Sequence, residues 1–362
     1  MTVNADVVMV GAGLIGSAAA LTLADAGADV RILAHTRTGA ASQAAAGMLA
    51  PSMELARSDM TRLATAARDL FPDFVRELGE RTGIAIELNR AGILQLAADA
   101  AHAELLADTV RETGDWLSSD SVRRIEPGLV VEYGAALWPD DGAVDSTQLL
   151  AAVHSALGSH QRVVIHEATA TSLTAAGNRM SVLTQEGTRF EGSHAVVAAG
   201  AWSGQLRGGR FAAAVEPIRG QLVEFQHPAL THVVYGPECY LVPRGRCTIS
   251  GSTMERVGFD TRTTREGVDR LTAAALSLCP ALEGAASRSW AGLRPVTPDL
   301  LPLIGPDPAN PALIYACGHS RNGVLLAPLT AILLKEIIFE ERLTFDITRF
   351  RPGRFADTFT VT

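Results

Sequence analysis

Cysteine is scarce: only Cys239, Cys247, Cys279 and Cys317 occur in 362 residues. None forms a C-x-x-C pair or stands near histidine at zinc-ligand spacing, so no metal site is expected. The thiols read as small buried groups in a reducing compartment. Basic excess is lacking too. The formal net charge is -8, which argues against a nucleic-acid-binding surface, and no Lys/Arg run suits an acidic membrane face. No stretch approaches the ~20 apolar residues of a membrane span. The most apolar late segment, Val324 to Phe339, contains Pro328, Lys335 and Glu336. The first residues lack a basic n-region and Gly11 breaks their apolar run, so a signal peptide is not expected. A cytoplasmic chain with no membrane partner is the expectation. Ser-His-Asp order, nucleophile elbow and P-loop are also missing.

What remains is an ordinary globular composition, 47% hydrophobic and 19% charged, long enough for two structural units. Val7 to Val10 is an apolar run suited to a strand buried on both faces. Leu14 to Ala26 predicts a helix capped by Gly27, and Val30 to Leu33 a second strand, together a βαβ unit. Residues 53–82 read as helical through Leu55, Leu63, Leu70, Phe74 and Leu78. Leu88 to Leu96 reads as a strand and Ala98 to Leu117 as a helix. Val163 to His194 predicts an antiparallel meander, and Ala195 to Gly200 a buried strand. Strands dominate Val215 to Met254. Leu313 to Gly318 reads as a buried strand, and Gly323 to Phe339 as a helix. No linker separates the units, so the fold class expected is α/β with interleaved domains. A Rossmann-like unit would comprise 1–85, 140–212 and 296–362. An α+β unit with a mixed or antiparallel sheet would comprise 86–139 and 213–295.

Gly11, Gly13 and Gly16 match G-x-G-x-x-G between strand and helix. The first glycine permits the turn, the second admits a pyrophosphate, and the third lets helix approach strand. At the end of the second strand, where an acid usually meets the adenosine ribose, stand Ala34 and His35. That speaks against a reversibly bound NAD and leaves His35 either on the ribose or in solvent. Ser42-Gln-Ala-Ala-Ala-Gly-Met48 is a small-residue run that fits either a flat ligand or a tightly packed helix start. Arg294, in Gly-Leu-Arg-Pro after Trp290, reads as a carboxylate clamp or as a surface arginine. Tyr240 reads as its hydroxyl partner or as a core tyrosine. A helix starting near Gly323 would turn its N-terminus toward a reduced flavin.

Taken together, these segments resemble the glycine oxidases of the thiamine-synthesis type, within the D-amino-acid oxidase superfamily of flavoproteins. The resemblance runs from Asp6 to about Phe350. It is carried by Gly11 to Gly16, Ala44 to Leu49, Val197 to Gly204, Pro217-Ile-Arg-Gly220, Tyr240 to Arg244, Gly251 to Met254, Trp290 to Pro295 and Gly318 to Pro328. It implies FAD, and oxidation of a small amino acid (glycine, sarcosine, D-alanine) by molecular oxygen to a 2-oxo acid, ammonia and hydrogen peroxide. It also implies a homotetramer and a place in thiamine thiazole synthesis.

By the same resemblance, Leu14 and Ile15 lie at the pyrophosphate. Ala46, Gly47, Met48 and Gly200 lie along the cofactor, and His319, Ser320, Asn322, Gly323, Val324 and Leu325 wrap the flavin. Arg294 and Tyr240 bind the carboxylate, and Arg321 stands at the substrate–flavin edge. Tyr235 and Met254 wall the pocket. Glu238 departs from the family's histidine, which suggests a cationic or amine-extended substrate. The alternatives are an FAD-dependent D-amino-acid or secondary-amine dehydrogenase, an NAD(P) enzyme, and a non-catalytic flavin-binding protein.

Overall fold

The computed structural model describes residues 2–53 and 59–356. Its first sheet runs, in order, Ala170–Ala176, Arg179–Thr184, Arg189–Val197, Thr2–Val10, Val30–Ala34 and Val163–Glu167. Leu313–Cys317 also pairs with Arg189–Val197, and Leu303–Pro306 lies beside it. The strands around Thr2–Val10 are parallel, so their loops gather at one end of the sheet.

Alternation along Thr2–Val10 explains the burial of both faces. Val7 and Met9 face the helices Leu14–Asp25, Ser146–Gly158 and Ala327–Ile338. Val8 and Val10 face Val182, Phe190 and Phe211 on the other side. Helix Leu14–Asp25 is alanine-rich because it packs close to the sheet: a Cβ on Gly16 would stand 2.2 Å from the Gly11 carbonyl oxygen.

The second sheet is mixed. Its order is Ser287–Val296, Glu216–Phe225, Cys247–Gly251, Tyr240–Arg244, Val233–Tyr235, Ile93–Leu96, Ala135–Trp138 and Asp115–Leu117. Only Val233–Tyr235 and Ile93–Leu96 pair in parallel. Helix Arg265–Leu278 covers this sheet through Leu271, Ala274 and Ala275. A small third sheet of Met48–Leu49, Gly142–Val144 and Leu88–Asn89 lies where the segments of the two larger sheets meet along the chain.

Several sequence expectations shift. The helical stretch 53–82 is two helices, Asp59–Asp69 and Phe71–Thr82, with Pro72 opening the second. Leu55 lies outside the described residues. Leu88 to Leu96 divides at Gly92, whose φ of +99° breaks the strand, and its halves enter different sheets. Ala98 to Leu117 is helical only over Ala100–Thr109; Asp115–Leu117 is an edge strand, because Gly114 packs against the Leu137 backbone. Val163–Glu167 leaves the meander to pair in parallel with Val30–Ala34. The strand read as beginning at Ala195 is the end of the longer Arg189–Val197. The late helix begins at Ala327, four residues after Gly323, with a 3-10 turn over Ser320–Asn322 before it. None of the described helices is long and apolar enough to cross a membrane.

Candidate active site

A cavity of about 700 Å³ opens at the loop end of the first sheet and reaches the second. Gly11, Gly13, Leu14 and Ile15 line it where Thr2–Val10 passes into the helix. Gly11 has φ +113°, and a Cβ there would lie 2.4 Å from the Ala198 carbonyl oxygen. Only glycine fits so close a backbone approach. Helix Leu14–Asp25 has no side-chain cap from its own N-cap, Gly13. Instead Ser42 Oγ accepts from the Leu14 amide at 2.9 Å. The remaining first-turn amides have no intrahelical acceptor, the arrangement that receives a pyrophosphate. His154 supports this turn from behind, its Nε2 3.0 Å from the Ala12 carbonyl oxygen.

At one end of the cavity lie Ala34, His35, Arg37, Thr169 and Arg207. Arg37 lies 5.2 Å over the Trp202 ring, and Trp202 stacks on Phe259. His35 is exposed at the rim. Along the middle run Ser42, Ala44, Ala45 and Gly200. At the other end stand Arg294, Tyr240 and Arg321, with His319, Ser320, Gly323 and Val324 beneath.

Arg294 is half-buried on Ser287–Val296. Its Nη1 donates to the Thr253 carbonyl at 3.1 Å and its Nη2 to Ser252 Oγ at 2.5 Å. Two glycines make room for the pair. A Cβ on Gly220 would stand 1.9 Å from Arg294 Nη1, and one on Gly251 would stand 2.5 Å from the Tyr240 hydroxyl. Arg321 donates to the Met53 carbonyl at 2.9 Å.

His319 is fully enclosed, and burial pushes its imidazole down to about 3, so it is neutral. Its Nε2 lies 3.2 Å from Thr330 Oγ1. Burial pushes the Cys317 thiol up to about 12, so no thiolate nucleophile stands here. Among the described residues that line the cavity there are four arginines, Arg37, Arg207, Arg294 and Arg321, and no Asp or Glu. In a chain of net charge -8 this is a local reversal of sign, suited to an anionic ligand. The glycine cradle, the open amides and the elongated cationic cavity fit a dinucleotide such as FAD.

Not every expected residue reaches the cavity. Gly16 serves helix packing. Ala46 is buried, and Gly47, at φ +88°, presses against the Val144 carbonyl. Met48, Asn322 and the fully buried Leu325 stand behind the lining. Tyr235 packs in the second sheet's core, whereas Glu238 is exposed and Met254 is 68% exposed, all away from the lining. The helix N-terminus expected near Gly323 is displaced to Ala327, so Ser320 and Arg321 of the preceding turn line the cavity instead. Sequence reasoning missed Arg37, Arg207, Gln205 and His154. Of these only His154 carried a signal, a lone imidazole in the apolar helix Ser146–Gly158.

Comparison with known proteins follows the same outline. The model of the FAD dependent oxidoreductase family matches residues 6–337. The bifunctional protein ThiO/ThiG of Synechocystis sp. is 36% identical over 99% of this chain, which spans about half (55%) of that protein's length. The glycine oxidase of Geobacillus kaustophilus is 35% identical over 98% of both chains. The crystal structure of glycine oxidase from the same organism superposes with a TM-score of 0.90 at 33% identity, covering 97% of this chain and 99% of that one.

Proposed function

The chain belongs to the FAD dependent oxidoreductase family, and from that premise we propose that it oxidises glycine or a similarly small amino acid with molecular oxygen. The balanced reaction is amino acid, oxygen and water giving 2-oxo acid, ammonia and hydrogen peroxide. The observation that carries this reading is Arg294 and Tyr240 lining one end of a cavity whose other parts fit a dinucleotide.

Gly11, Gly13, Leu14 and Ile15 would hold the pyrophosphate, and Ser42, Ala44, Ala45 and Gly200 the length of the cofactor. His319, Ser320, Gly323 and Val324, with Arg321 at the edge, would hold the ring. When bound, FAD supplies the two-electron acceptor for hydride from the substrate's Cα. Arg294 binds the substrate carboxylate, and Ser252 and Thr253 fix the guanidinium for that task. Tyr240 donates its hydroxyl to the same carboxylate. Cα is thereby oriented, and orientation is the main contribution these residues make. Neutral His319 adds no charge, and no described lining residue is an acid able to hold an ammonium. The amine therefore reacts in its neutral form, and water hydrolyses the product imine.

Residues 1–85, 140–212 and 296–362 form the cofactor unit, and 86–139 and 213–295 the substrate unit, in this reading. A cytoplasmic homotetramer and a role in thiamine thiazole synthesis are part of this reading and rest on the family resemblance; for the second, the likeness to a protein named ThiO/ThiG adds support. Peroxide formation with glycine, sarcosine, D-alanine and D-arginine tests the substrate. Glycine or sarcosine should lead, and a lead for D-arginine would overturn the small-substrate reading.

A further inference from the structure

The two strands that carry the carboxylate-binding residues each carry a second residue on the same face. Tyr240 and Arg244 are four apart on Tyr240–Arg244, and Trp290 and Arg294 are four apart on Ser287–Val296. A strand alternates with period two, so each pair shares a face, its members about 13 Å apart. In each pair one residue lines the substrate end of the cavity. The other reaches the backbone of the small-residue segment that lines the cavity's middle.

Trp290 Nε1 donates to the Ala44 carbonyl at 3.0 Å. Arg244 Nη2 donates to the Ala45 carbonyl at 3.0 Å and to the Ala46 carbonyl at 2.7 Å. Ser146 Oγ adds a second donor to Ala45 at 2.6 Å. Three consecutive carbonyls are thus held by side chains, two of them from the substrate sheet. At the segment's other end Ser42 meets the first amide of the pyrophosphate helix. Arg244 is largely enclosed, and the nearest carboxylate oxygen, Asp145 Oδ1, is 3.9 Å from its Nε. An enclosed guanidinium so weakly paired is a costly brace where an apolar side chain would suffice to fill space. Its carbonyl contacts give it a specific task.

We propose that Arg244 is a positioning residue, assisted by Trp290. Together they fix the cavity-lining residues Ala44 and Ala45, with Ala46 buried behind them, to the same two strands that present Tyr240 and Arg294. Cofactor and substrate carboxylate are then set in one register, and a shift of either strand moves both. This rests on the family's cofactor and not on the choice of substrate.

The test uses full-length Arg244→Met, Arg244→Lys and Trp290→Phe. Apoprotein is titrated with FAD by flavin fluorescence, and the holoprotein's visible spectrum and steady-state constants are recorded. Arg244→Met should raise the FAD Kd about tenfold or more, shift the flavin bands, and lower kcat by a larger factor than it raises KM. Arg244→Lys, which retains a cationic donor, should recover part of the affinity and spectrum. Trp290→Phe should show a smaller change of the same kind with an unchanged Tm of the apoprotein. If Arg244→Met does not fold, Trp290→Phe decides. Wild-type Kd and spectrum in either Arg244→Met or Trp290→Phe overturn the proposal, as does an Arg244→Lys no better than Arg244→Met. Because Kd and spectrum need no substrate, they read correctly even if glycine is not turned over.

Discussion

Gly220 gives Arg294 its place: the guanidinium lies over the neighbouring strand, where a Cβ on Gly220 would be 1.9 Å from Nη1. The two residues are in adjacent antiparallel strands, with Ile218 opposite Arg294 in register. Arg294→Ala should remove a charge-assisted contact of about 2–4 kcal/mol, raising KM by one to three orders of magnitude. Gly220→Ala should act through Arg294, raising KM about tenfold while flavin content stays at the wild-type level. Steady-state kinetics with glycine checks both, and an unaltered KM in Arg294→Ala refutes the assignment.

The same relationship recurs at Gly251 and Tyr240, where a Cβ would meet the hydroxyl at 2.5 Å. Tyr240→Phe, which keeps the ring, should cost about 1.5–3 kcal/mol in kcat/KM, the worth of one hydrogen bond to a charged carboxylate. Gly251→Ala should cost more, since it displaces the ring as well. If Gly251→Ala is the milder of the two, the hydroxyl is not held where this site requires it.

Gly11→Ala should abolish retention of FAD. The new Cβ meets backbone at 2.4 Å, and φ +113° is strained for any side chain. The ratio of flavin to protein absorbance after purification reads the effect. Full flavin content in Gly11→Ala would show that the pyrophosphate lies elsewhere.

The buried neutral His319 predicts a pH dependence. Burial pushes its folded-state value to about 3, against about 6.5 for an exposed imidazole. Between those values the unfolded chain binds the extra proton, so stability rises with pH across the window and is lost as pH falls below about 6.5. Urea unfolding of the holoprotein at pH 5 and 7.5 should show this slope, and His319→Asn should flatten it. An equal slope in both proteins contradicts the assignment.

The βαβ start was legible because its glycines and apolar run act locally: Gly11, Gly16 and Val7 to Val10 need only their neighbours. Arg294 was legible as chemistry but not as geometry. Its partners Ser252, Thr253 and Gly220 lie on other strands, and only pairing brings them near. Asp115–Leu117 was misread as helix because tertiary pairing with Ala135–Trp138 overrides a weak local pattern. The displaced helix start at Ala327 has a local cause that was in view, Pro328 in the first turn. Arg37 and Arg207 came together with the cavity only through the fold, as isolated arginines carry no spacing signal.

If this cavity oxidises a small amino acid with FAD, the electrons pass from the substrate to the flavin and then to oxygen. Holoprotein mixed with glycine under anaerobic conditions tests it most directly. The yellow flavin absorbance should bleach, then return on admission of air as hydrogen peroxide forms. Flavin bands that persist with glycine, sarcosine and D-alanine alike would contradict it.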